Sequence, residues 1–212
     1  MTLATIQWAE YADLILLDLP GCPIPAIIDA VRKAAIRFCR KSEVWWIDSS
    51  ATDIIAGQSA YNCVVDDNNV KVSNVTKIKV AEQEVEPISR AGWDDLEDDT
   101  ARQPLNYRVT APNLVHLWPT PLQTISGAMV VRVVLQPSRT SLVGPEFLMD
   151  EHEEAITAGA RAYLMLQPNK AWSNPQLAAV QWRNFEQKID SARFKEERGG
   201  TVAPLRKTKM GI

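Results

Sequence analysis

At Val44 the apolar residues of this chain change from helical spacing to strand spacing, and the helical spacing returns only at Pro145. Before the change, Ile24, Ile27, Ile28, Val31, Ala35 and Phe38 recur at intervals of three and four. Asp29, Arg32, Lys33, Arg37 and Arg40 take the other side, which predicts an amphipathic helix. Pro23 and Pro25 suit its first turn, where a missing N–H costs little. After the change, short apolar runs predict strands at 44–47, 52–55, 61–65, 70–80, 84–88, 106–109, 114–117 and 128–135. From Pro145, a stripe of Leu148, His152, Ala155, Ile156, Gly159, Tyr163 and Leu166 predicts a helix that ends at Pro168. Asn174 and Pro175 then cap a last helix to about Lys195, with Trp182, Phe185, Ile189 and Ala192 inward.

This order predicts an α+β fold. One early helix and two late helices form a bundle, into which a small antiparallel β-barrel or sandwich is inserted. The expected divisions are 1–43 with 138–197 for the helical domain and 44–137 for the β-domain. Residues 198–212 form an extended basic C-terminal tail, with Arg206, Lys207 and Lys209 and no acid.

Composition narrows the function. A formal net charge of −3 argues against a general nucleic-acid binder, which carries a basic footprint. Three cysteines, Cys22, Cys39 and Cys63, with no C-x-x-C spacing suggest reduced thiols in a cytosolic setting, Cys39 as a small core hydrophobe. The apolar run at 14–21 is broken by Asp18 and lacks a basic flank, so it does not read as a targeting segment. No run approaches the roughly 20 apolar residues of a membrane span.

Enzymatic signatures break at defining positions. His152-Glu153-Glu154-Ala155-Ile156 begins like H-E-x-x-H, but Ile156 stands where the second zinc ligand belongs. Gly57-Gln58-Ser59-Ala60-Tyr61 begins like a nucleophile elbow, but Tyr61 replaces the closing glycine. Neither a dinucleotide-binding nor a phosphate-binding glycine pattern occurs. The acids from Asp94 to Asp99 lack the central Gly and closing Glu of a calcium loop. The reading is therefore no enzyme, no cofactor and no metal. Trp45, Trp46, Trp93, Trp118, Trp172 and Trp182 sit near the ends of expected elements. They suit either core junctions or subunit contacts, where aromatics are enriched.

Taken in order, several short motifs carry a resemblance. GCP, IIDAVRKAAIRFCRKSEVWW and AGQSAYNCVV open the series. RQPLNYRV, LVHLWPTP and VVLQPSR follow, and LMDEHEEAITAGARAYLMLQPNKAW closes it before the last helix and basic tail. From about Pro20 to Phe194 the chain resembles the tailed-phage head-to-tail adaptor proteins, also called connector or head-completion proteins. The loop from Asp94 to Gln103 matches no motif of that pattern.

The resemblance implies a structural virion protein of the neck, assembled in the host cytoplasm. It implies a homo-oligomeric ring of about twelve subunits, closed by head-to-tail contacts. Such a ring binds the portal protein and tail or neck proteins, joins capsid to tail, and passes viral DNA through its channel without specific binding. Arg206, Lys207 and Lys209 are then the portal-contact candidates. Arg32, Lys33 and Arg37 against Glu151, Glu153 and Glu154 are the subunit-interface candidates. Asp94, Asp95, Asp98 and Asp99 are the channel-lining candidates, since carboxylates repel phosphates. The alternatives left open are another neck or tail-tube component, or a regulator touching DNA through the basic tail.

Overall fold

The computed structural model describes residues 4–63, 65, 67–96, 100–111 and 113–199. They divide into two compact units, one drawn from Met1–Val44 with Gln136–Ile212 and one from Trp45–Leu135. In chain order the elements begin with β1 (Thr5–Gln7), a 3₁₀ turn at Trp8–Tyr11, α1 (Ala12–Leu16) and α2 (Ile24–Ser42). Next come β2 (Trp46–Asp48), β3 (Thr52–Ile54), β4 (Ala60–Asn62), β5 (Val70–Val80), β6 (Gln83–Pro87) and α3 (Arg90–Asp94). β7 (Asn106–Thr110), β8 (Leu114–Trp118), β9 (Ile125–Pro137) and β10 (Val143–Pro145) follow. α4 (Phe147–Asp150), α5 (Glu153–Met165) and α6 (Pro175–Glu197) complete the described order, which is α+β.

In the first unit α2, α5 and α6 pack on one another. Pro23 is the N-cap of α2, and Pro25 lies in its first turn. Ile27, Val31, Ala35, Phe38 and Cys39 are buried, each large side chain contributing roughly 1.5–3 kcal/mol. Ile24, expected on the buried stripe, is instead 50% exposed, because it sits at the first turn, beyond the packed length. Gly159 is the point of closest approach. A Cβ there would lie 3.0 Å from both Ala34 and Phe185. Asn174 caps α6 by accepting a hydrogen bond from Leu177 N at 3.1 Å.

The helix expected from Pro145 to Pro168 is two helices preceded by a strand. Val143–Pro145 pairs antiparallel with Thr5–Gln7. α4 and α5 are separated at Glu151 and His152, where the His152 ring lies 4.8 Å from Phe38 and 6.2 Å from Phe147. His152 there has non-helical backbone, φ −130° and ψ 16°, and serves as the N-cap of α5. Leu166 falls after α5 and is 53% exposed. Trp8, left out of the expected junction set, is completely buried, and its Nε1 donates to Ser141 Oγ at 3.4 Å.

In the second unit the sheet order is β2-β9-β5-β6-β7-β8-β4, with β3 also on β9. Ile54, Ile78, Val115, Leu117, Met129 and Val133 are buried. The pairs are antiparallel-rich, but β6 and β7 run parallel, Glu86 opposite Asn106. The expectation was a small antiparallel barrel or sandwich, and this one parallel pair departs from it. The connection from Ile88 to Leu105 is long enough for the crossover a parallel pair requires, and it holds α3. The strand expected over 61–65 ends at Asn62. The basic tail from 200 onward lies outside the described residues.

Candidate functional site

The basic side of α2 is answered within its own unit. Asp29 lies 2.9 Å from Arg32 and 2.7 Å from Lys33, one helical turn along. Arg32 also donates to Ser141 O at 3.3 Å. Arg37 reaches across to α6, where its Nη2 is 2.6 Å from Glu186, and Lys41 takes the other oxygen of that carboxylate at 2.7 Å. The Arg37 guanidinium lies 4.6 Å over the Trp182 ring. Burial opposes ionisation of Glu186, but hydrogen bonds from Lys41 and Arg37 outweigh it and hold the carboxyl below its usual range. Asp29 is held low in the same way, burial again outweighed by Lys33 and Arg32.

The acids at the start of α5 are likewise answered by α6. Glu154 pairs with Lys188, which lowers its carboxyl pKa. Glu151 lies 3.6 Å from Lys195. Glu153 adds its charge to the desolvation that raises the buried Tyr11 hydroxyl. A groove of about 500 Å³ runs over these residues, with His152 in its wall. Burial pushes the His152 imidazole down, and Lys195 adds to that while Glu151 opposes it. The structure therefore does not bring Arg32, Lys33 and Arg37 to Glu151, Glu153 and Glu154 within one chain. Lys33 at 58% and Glu154 at 80% side-chain exposure keep the most open charged ends.

Of the channel-lining candidates, Asp94 ends α3, 3.7 Å from Arg108 and 3.8 Å from Arg90. Asp95 is its exposed C-cap. Asp98 and Asp99 lie outside the described residues, as do Arg206, Lys207 and Lys209. Beside Asp94 the sheet assembles a group that sequence reasoning missed. Arg108 lies 4.9 Å over Trp93, and His116 meets Trp93 edge-on at 6.2 Å. His116 Nε2 is 3.0 Å from Thr110 Oγ1. Its imidazole pKa is lowered by burial and by Arg108. Arg108 and His116 are opposite each other across β7 and β8. Their alternation in each strand is visible in sequence, but the register is not.

Among the described residues no three His, Cys, Asp or Glu side chains gather as a metal site. No helix among them is long and apolar enough to cross a membrane. Residues 1–207 match the family model described as SU10 adaptor protein, and the chain belongs to that family of phage head-to-tail adaptors. No curated protein sequence matches the chain. Family membership implies a structural role and a place in the virion neck.

Proposed function

We propose that this adaptor forms a homo-oligomeric ring beneath the portal, joins capsid to tail, and extends the DNA channel. The observation that carries the reading is the family match over residues 1–207. A ring of about twelve copies closes through repeated head-to-tail contacts without leaving an open end. Lys33 and Glu154 are the members of the two charged sets best able to add a contact to the next subunit, since each keeps an open side beyond its internal partner. Arg32, Arg37 and Glu153 support the same faces from within, and Glu151, exposed beside Lys195, adds charge at their edge. Asp94, Asp95, Asp98 and Asp99 line the channel and repel phosphate over about 8 Å at physiological salt. Arg206, Lys207 and Lys209 dock the basic tail on the portal, where ordering the segment on contact limits attachment to particles that already carry a portal.

The test is to mix the purified chain with portal rings and image them in negative stain. Added mass on one end of each portal ring is the expected result. Portal rings that stay bare at high concentrations of the chain overturn the reading.

A further inference from the structure

α6 buries Ala178, Phe185, Ile189 and Ala192 on one side. Leu177, Val180, Asn184, Gln187, Ser191 and Phe194 are all exposed. Their alternating spacing of three and four places them on one stripe, roughly opposite the buried side. None is charged, although Arg183, Glu186, Lys188, Asp190, Arg193 and Lys195 share the helix. Leu177, Val180 and Phe194 at the two ends of the stripe are 40%, 51% and 44% exposed.

The charges around the stripe are of two kinds. Glu186 and Lys188 are committed to α2 and α5, Lys195 to Glu151 between α4 and α5, and Arg193 pairs with Glu197. Arg183 and Asp190 are exposed, and neither has an ion pair among the described residues. They are two turns apart and flank the same side of the stripe.

We propose that this stripe is the docking face for α6 of a second copy of the chain, the two helices running antiparallel. In that register the apolar pair Leu177 and Val180 meets Phe194 and Ser191 of the second copy. Asn184 meets its Gln187, and this amide pair, set between the ends that carry Leu177, Val180 and Phe194, fixes the register. Arg183 faces Asp190 of the second copy, and two-fold symmetry repeats the ion pair. A parallel arrangement would instead set Arg183 against Lys188, like charge on like. The contact is isologous, unlike the head-to-tail contacts of a ring. It does not rest on the ring reading, and it gives the free protein a way to associate away from the portal.

Sedimentation equilibrium of the full chain over a range of concentrations tests this, using wild type, Arg183→Asp, Asp190→Arg and the double reversal. The wild type is expected to show a monomer–dimer equilibrium. Each single reversal sets like charges together twice and should raise the dissociation constant about tenfold. The double reversal restores opposite charges and should return the constant to near the wild-type value. A folding defect would not be repaired by a second reversal. A monomer at every concentration, or association that ignores the single reversals or is not restored by the double, overturns the proposal.

Discussion

Glu186 serves two cations of α2 at once, and its worth depends on its charge. Its folded pKa lies below the ordinary glutamate value of 4.5, so its stabilisation is fully present above pH 4.5 and is lost as pH falls through the lower folded value. Glu186→Gln is expected to cost about 1 kcal/mol at pH 7, the surroundings being only partly buried. Urea denaturation should show that difference shrinking below pH 4.5, as the wild-type carboxyl takes up its proton. Gly144 presents a steric limit instead. A Cβ there would fall 1.9 Å from Cη2 of Trp8, whose ring is fully buried against it. Gly144→Ala is expected to destabilise by about 3 kcal/mol, seen as a lowered melting temperature, because neither the ring nor the β1–β10 ladder has room to move.

Among the elements, the β5–β6 hairpin turns on two non-glycine residues of positive φ, Ala81 at 48° and Glu82 at 65°. Val80 opposite Gln83 makes this a two-residue connection. Such a turn favours Asn-Gly, since an L side chain in this conformation crowds its own carbonyl. Glu82→Gly is therefore expected to stabilise the protein by about 1 kcal/mol in thermal or chemical denaturation, and no change would argue that the strain is relieved elsewhere. α2 lies at the other extreme of legibility. Its proline start, apolar stripe and basic far side were readable because each is a local property. The split between α4 and α5 was not, because Leu148 to Leu166 keep helical spacing through it. At the interruption His152 packs on Phe38, more than a hundred residues earlier in the chain and outside any local signal.

At the scale of the whole molecule, the tail assignment is separable from the fold. Deleting residues 201–212 is expected to leave circular dichroism and melting temperature unchanged while abolishing co-purification with the portal ring. Retained portal binding would remove the tail from the docking reaction. Of the candidate site, the charged residues were legible but their partners were not. Arg37 and Glu154 both stood out as charge on a helix face. Nothing local revealed that α6 would supply Glu186 to one and Lys188 to the other. The same holds for Arg108 and His116, joined only by the register of β7 on β8.

The sequence by itself determined α2, α6 and most of the strands between them, because period and capping act over a few residues. It also carried the family, through the order of its motifs. The tertiary structure alone decided the β1–β10 pairing, the parallel join of β6 to β7, and which charge answers which. Those depend on contacts between residues far apart in the chain, whose free energy arises only once the backbone has brought them together.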